Sequence, residues 1–240
     1  MDSGILIDAG IGIRTLKQRL ENSGLGLDAI RMLLVTHDHT DHIRGIGSIA
    51  KRLSVPIYTT SVLHSAIARK NGIGEEISGC RRVLRTGQEI VIGEYGITAF
   101  EVPHDATQTL GYRIRTDGLS IVIMTDLGRV PEYALEYCRE ADYVVIESNY
   151  DMDMLIHGSY PPELKARVIS ERGHLSNDMC ADAIRRFLHP RLKGVFLCHL
   201  SQDNNSPDIA HRESWKVISR AGGSQFLKCL PRSEVFSMEL

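Results

Sequence analysis

Five side chains able to bind a metal or carry a proton crowd into Val35-Thr36-His37-Asp38-His39-Thr40-Asp41-His42. Two histidines two residues apart can aim two imidazole nitrogens at one ion, and Asp41 with His42 can serve a second ion a few ångströms away. A lone loop histidine is ordinary surface. The H-x-H-x-D-H order is different, because an apolar run (Met32–Val35) precedes it and a helical pattern (Ile43, Ile46, Ile49, Ala50, Leu53) follows it. It therefore stands where a strand ends and a helix begins, the edge at which αβ folds carry their sites.

Three further residues of the right chemistry follow predicted strands. His104 comes after the strand closing at Val102-Pro103, Asp126 after Ser120–Thr125, and His199 after Val195–Cys198. Each alone reads as readily as a turn residue or a hydrogen-bonded strand-end histidine as it does as a metal ligand. Together with the histidine cluster they form a set with one chemistry.

The chain's 240 residues suffice for one sizeable domain, here 1–240. Its composition, 42% hydrophobic and 24% charged, is that of a soluble globular protein. A formal charge of −2 argues against a surface that is basic throughout, while leaving room for a local basic groove. The five cysteines are scattered without a C-x-x-C pair, which suits a reducing, cytoplasmic setting. No apolar run approaches spanning length and no signal-peptide pattern opens the chain, so no membrane association is expected.

Periodicity positions these residues. Gly4–Gly10 predicts a strand ending in Asp8 and a glycine turn, followed by a helix over Ile13–Leu20. Strand Pro56–Thr60 and helix Val62–Lys70 come next. Four strands then run in succession (Glu89–Ile92, Gly96–Val102, Tyr112–Arg115, Leu119–Met124). Helix Glu132–Arg139, strand Tyr143–Glu147, helices Glu163–Ser170 and Asn177–Leu188, strand Gly194–Cys198 and helix Asp208–Arg220 lead to two short strands, Phe226–Leu230 and Glu234–Phe236. Two strand-rich halves with helices predict an α/β fold of four layers, αββα. The consecutive strands imply mixed sheets and count against a doubly wound parallel sheet.

The ligand order and the segments Ile5–Gly10, Thr36–His42, Val102–Asp105, Thr125–Gly128, Glu147–Asp151, Gly173–Asn177 and His199–Asn205 resemble the YycJ/WalJ-like branch of the metallo-β-lactamase-fold hydrolases. The resemblance implies a metallo-β-lactamase-type αββα sandwich and a metal-dependent nuclease, with 5′-to-3′ exonuclease action on double-stranded DNA as the proposed role. It implies one divalent ion on His37, His39 and His104, a second on Asp41, His42 and His199, and Asp126 bridging both. Imidazole and carboxylate donors without cysteine suit Zn²⁺ first and Mn²⁺ second. Two dications outweigh two carboxylates and a hydroxide, so the centre favours an anionic phosphodiester. Asp41 is both ligand and part of the catalytic set. Asp8 is expected to orient a ligand histidine by a hydrogen bond. By resemblance, His174 and Glu147 pair as a proton donor and its carboxylate, His174 standing before a helix capped by Ser176 or Asn177.

One departure from the family pattern concerns the start: Met1-Asp2-Ser3 stands where relatives carry a further strand and a Ser/Gly-rich loop, so an unpaired edge of the first sheet is expected. The remaining histidines, His64, His157, His189 and His211, read as solvated. The basic run Lys165, Arg167, Arg172, Arg185, Arg186, Arg191 and Lys193 is either a solvated face or a groove for a sugar–phosphate backbone. The alternative function is a small-molecule hydrolase acting on a lactone, thioester or cyclic phosphodiester. A tRNA 3′-processing enzyme is disfavoured, because too few residues separate His104 from Asp126 to hold a tRNA-gripping arm.

Overall fold

The computed structural model describes residues 4–71 and 73–239. Met1-Asp2-Ser3, on which the expected shortened start falls, lie outside them. The described residues form two compact units, one lying within 1–88, 106–110 and 233–240, the other made of 89–105 and 111–232.

The first unit carries a four-stranded sheet in the order β1-β2-β3-β4, with β1 Gly4–Ile7, β2 Ile30–Leu34, β3 Ile57–Thr59 and β4 Arg81–Val83. All three pairings are parallel. Its helices are α1 Ile13–Asn22, α2 Thr40–Ile43, α3 Ile46–Leu53, α4 Ser61–Asn71 and α5 Gly74–Ser78. The reason for parallel pairing is in the sequence: between successive strands of this sheet lies a helical segment that returns the chain to the same end of the sheet. In α3 the apolar positions Ile46, Ile49, Ala50 and Leu53 recur at helical spacing, and the first three are buried. Strand β2 is buried at Met32, Leu33 and Leu34, each Leu contributing about 1.5–3 kcal/mol by leaving water.

The second unit carries seven strands in the order β11-β10-β9-β8-β7-β6-β5. These are β5 Glu89–Ile92, β6 Tyr95–Glu101, β7 Leu110–Thr116, β8 Leu119–Met124, β9 Tyr143–Glu147, β10 Gly194–Cys198 and β11 Phe226–Cys229. Pairs β5/β6 and β7/β8 are antiparallel, whereas β8, β9, β10 and β11 run parallel. The mixed character therefore resides in the larger sheet. Its helices are α6 Glu132–Cys138, α7 Met152–His157, α8 Pro162–Ile169, α9 Asn177–Phe187 and α10 Pro207–Arg220. Val122, Met124, Val144, Ile146, Val195 and Leu197 form a core with α6, α9 and α10 residues such as Leu135, Ile184 and Ala210.

Three expectations need correction. His189 is half-buried and not solvated, its Nε2 3.1 Å from the Ala141 carbonyl oxygen and its Nδ1 accepting the Arg191 amide at 3.2 Å. Glu234–Phe236 forms no strand: the Arg232 guanidinium holds the Leu200 carbonyl oxygen at 2.6 and 3.0 Å, turning the chain off the sheet edge after β11, and Val235 is exposed. His64 is buried, not solvated, with Nε2 3.0 Å from the Arg82 carbonyl oxygen, and burial holds it below its ordinary pKa. His157 is exposed as expected. The short elements α5, β4 and α7 were not foreseen, being too brief to show a period.

Candidate metal centre

In the first unit, β1 and β2 are parallel neighbours with Ile7 opposite Leu34, so their ends place Asp8 beside the start of the histidine motif. Asp8 turns there in the left-handed region, φ 59°. Its Oδ1 accepts the Thr36 amide at 2.8 Å, and its Oδ2 accepts the Thr36 hydroxyl and the His42 Nδ1–H, each at 2.7 Å. With its proton committed to Asp8, the Thr36 hydroxyl oxygen accepts from His37 Nδ1 at 3.0 Å. One carboxylate thus fixes two tautomers, directly and through a hydroxyl, and both rings offer Nε2 as the lone-pair atom.

The motif is compact. The His37 ring centroid lies 4.7 Å from that of His39 and 4.1 Å from that of His42, and Asp41 Oδ2 is 3.8 Å from His42 Nε2. Gly10 makes this closeness possible, because a Cβ there would lie 1.5 Å from the Asp41 carbonyl oxygen. Asp38, the fifth metal-capable residue, turns to other work. Its carboxylate accepts the Thr107 amide at 3.1 Å and hydroxyl at 2.9 Å, with Lys70 3.7 Å away. Burial alone would raise its pKa, but Thr107 and Lys70 outweigh that and hold it low.

In the second unit, parallel β8, β9 and β10 end side by side, with Met124 opposite Ile146 and Cys198 opposite Glu147. Residues far apart in sequence therefore meet. Asp126 and His199 leave their strands with φ of 56° and 55°, strained positions of the kind that cluster at functional sites. Glu147 is wholly buried. Its Oε1 accepts from His174 Nδ1 at 2.7 Å and His199 Nδ1 at 2.8 Å, and its Oε2 accepts the Leu127 amide at 2.9 Å. Burial by itself would raise its pKa. The two imidazoles outweigh burial and bring it to about 2. For His174 the balance runs the other way: burial disfavours the imidazolium, yet Glu147 lifts the pKa above its ordinary value.

His199 Nδ1 also lies 3.3 Å from Asp126 Oδ1, and the His104 Nε2 atom lies 3.9 Å from that same oxygen. His104 Nδ1 donates to the Gly173 carbonyl at 2.9 Å, which again leaves Nε2 as the ligand atom, and burial keeps the ring neutral. The His174 ring is 5.1 Å from that of His104 and 5.3 Å from that of His199. Asp126, Glu147, His174 and His199 each offer a ligand atom within 4.8 Å of the others. The Glu147 oxygens already accept N–H donors, so its chemistry is that of an orienting anion.

The loops bearing these residues are locked by a buried amide cluster. Asn205 Nδ2 donates to the carbonyls of Ser148 and Asn149 and to Asn177 Oδ1, while its Oδ1 accepts from Asn177 Nδ2 at 2.9 Å. The Ser148 hydroxyl donates to Asn177 Oδ1 at 2.6 Å. Ser176, and not Asn177, caps α9. Sequence reasoning missed this cluster and the double duty of Glu147. The signal was present as asparagines within Gly173–Asn177 and His199–Asn205. Most of the basic run is occupied: Arg167 pairs with Asp105, Arg185 with Asp182, Arg186 with Glu132, Lys193 with Asp142, and Arg172 donates to the His104 carbonyl at 2.9 Å.

Imidazoles and aspartates stand at strand ends in each unit, with the tautomers of His37, His42, His104 and His199 set by outer hydrogen bonds, and form donor sets for divalent ions. The chain belongs to the beta-lactamase superfamily, whose Beta-lactamase superfamily domain matches residues 4–199. Its α/β fold is the metallo-β-lactamase fold. Superposition on YhfI of Bacillus subtilis, a metallo-beta-lactamase fold protein, gives a TM-score of 0.70 at 17% identity, over 95% of this chain and 84% of that one. Among relatives, exodeoxyribonuclease WalJ of Streptococcus pneumoniae is 35% identical over 220 residues, 90% of this chain and 81% of WalJ. Exodeoxyribonuclease YycJ of Bacillus anthracis is 29% identical over 218 residues, 91% of this chain and 82% of YycJ. Among the described residues no helix is long and apolar enough to cross a membrane.

Proposed function

We propose that this chain is a dinuclear metal-dependent phosphodiesterase that removes nucleotides from the 5′ end of double-stranded DNA. The observation that carries this reading is the Glu147–His174 pair beside Asp126 and His199, a histidine biased towards its cationic form next to ligand-type donors. An alkoxide leaving group needs such an acid. The likeness to WalJ and YycJ supports DNA as the substrate.

In this reading His37, His39 and His104 hold one ion, Asp41, His42 and His199 hold the other, and Asp126 serves both. The fixed Nε2-outward tautomers of His37, His42, His104 and His199 fit these ions, with zinc favoured over manganese by the imidazole-rich set. When bound, such ions supply Lewis acidity and activate water. The chain's own residues do the rest. Asp8 and Glu147 keep the ligand rings aimed. As water adds at phosphorus and the P–O3′ bond breaks, His174 gives its proton to the departing 3′-oxygen, and the shortened strand keeps the 5′-phosphate. All five cysteines are free thiols, which supports a reducing, cytoplasmic setting.

The test is incubation of the purified protein and Mn²⁺ or Zn²⁺ with 5′-labelled duplex DNA, beside bis-p-nitrophenyl phosphate and a lactone. The expected first product is labelled mononucleotide. Turnover of the lactone alone would move the assignment to a small-molecule hydrolase.

A further inference from the structure

Next to His174 and His199 the second unit has a cavity of about 670 Å³, within the roughly 300–1,000 Å³ typical of small-ligand sites. The ligand donors account for only one of its sides. Opposite chemistries line the remainder. Tyr160 and Leu164 are half-buried, packed against the small cluster of Tyr150, Leu155 and Val168, and present an aromatic and aliphatic wall. Arg232 supplies a cation. Its guanidinium is held in place by the Leu200 carbonyl and by Gln202 Oε1 at 3.0 Å, bonds that use only part of its five N–H donors.

A flat ring and a fixed guanidinium on one cavity form a pair that matches a nucleobase and a phosphate. We propose that this cavity seats the 5′-terminal nucleotide of the strand being cut, its base on Tyr160 and its 5′-phosphate on Arg232. This rests on the nuclease reading above and deepens it. Because His174 borders the cavity and protonates the leaving 3′-oxygen, the nucleoside bearing that oxygen must occupy the space beside it. The volume has room for that nucleotide, and the guanidinium favours a 5′-phosphorylated end.

The test uses the full chain stripped of metal and isothermal titration with three probes: 2′-deoxyadenosine 5′-monophosphate, 2-deoxyribose 5-phosphate and 2′-deoxyadenosine. Tyr160→Ala should weaken the monophosphate about tenfold or more, as loss of one aromatic–base stack does, and leave deoxyribose 5-phosphate unaffected. Tyr160→Phe should restore the affinity. Arg232→Gln should weaken both phosphates alike and spare deoxyadenosine. Affinity for the monophosphate that ignores Tyr160→Ala, or a loss that Tyr160→Phe does not repair, overturns the proposal. The two readings fail separately. A protein that degrades duplex DNA while its nucleotide binding ignores Tyr160 keeps the nuclease and loses the seat. One that binds nucleotide through Tyr160 but cuts no DNA keeps the pocket and loses the nuclease.

Discussion

The two units assemble their candidate site residues in opposite ways. The first concentrates four in six consecutive residues, His37 to His42, where chain continuity alone keeps them close. A single carboxylate, Asp8, partly open to water at 13% side-chain exposure, sets the tautomers. The second draws Asp126, Glu147 and His199 from the ends of three parallel strands, and His104 and His174 from loops. Only tertiary structure brings these together, and the carboxylate that organises them, Glu147, is wholly buried. The first unit is therefore expected to be tolerant where the second is brittle. Losing one member of a continuous motif leaves its neighbours in place, whereas losing a central anion of the strand-end group disconnects several at once.

The one variant expected to lower both metal content and turnover most tests that asymmetry directly. Asp126→Ala should lower activity on DNA by about 10²–10³-fold or more and reduce metal content from up to two ions per chain, exceeding His37→Ala on both counts. Metal analysis of the two proteins beside their turnover decides it. An Asp126→Ala enzyme that keeps two ions and near-normal turnover would show that Asp126 bridges nothing.

A second contrast sets the two orienting carboxylates against each other. Loss of one such partner typically costs about 10–100-fold in metal affinity or activity. Asp8→Asn should fall in that range with little loss of stability, since water can reach the position. Glu147→Gln should cost more, because two rings lean on one oxygen and an amide cannot accept every N–H now aimed at it. Each buried donor left unpaired adds about 1–3 kcal/mol of destabilisation. Zinc competition titrations and melting temperatures measure both, and equal losses in the two variants would erase the distinction.

His174→Ala sharpens the picture further, by separating orientation from proton transfer within the same unit. It should retain metal and lose about 10²–10⁴-fold on DNA, then recover on bis-p-nitrophenyl phosphate, whose leaving group needs no proton. Equal losses on both substrates would sink the proton-donor role.

The same asymmetry explains what the sequence could reveal. His37, His39, Asp41 and His42 were legible from spacing alone, because adjacency in the chain is adjacency in space. His104, Asp126 and His199 were legible one step less directly, as polar residues at strand ends. The joint hold of Glu147 on His174 and His199 was not, since strand order and register decide which ends meet. His64 misled for a related reason: an amphipathic period shows that a helix has a buried face, but the Arg82 carbonyl that accepts this histidine belongs to a strand 18 residues on. The parallel pairing of β4 on β3 was likewise invisible, because β4 is only three residues long.

The smallest expected effect concerns the locks that hold the loops of each unit, and it should repeat the contrast in stability. Asn205 sits among Ser148, Asn149 and Asn177 with both its amide atoms engaged, and Ser206 donates to its Oδ1 at 2.9 Å. Asn205→Ala removes all of these and leaves Asn177 Nδ2 without its acceptor, a cost of about 2–4 kcal/mol in a satisfied buried network. For a chain of this size that lowers the melting temperature by roughly 4–16 °C. In the first unit, Thr107→Val removes one hydroxyl bond to Asp38 and keeps the amide bond, so about 1 kcal/mol and roughly 2–4 °C are expected. Calorimetry of the two variants ranks them. An Asn205→Ala protein melting with the wild type would mean that the strand-end loops are held by their helix caps alone, since Ser176 and Ser206 each accept a helix amide independently of the cluster.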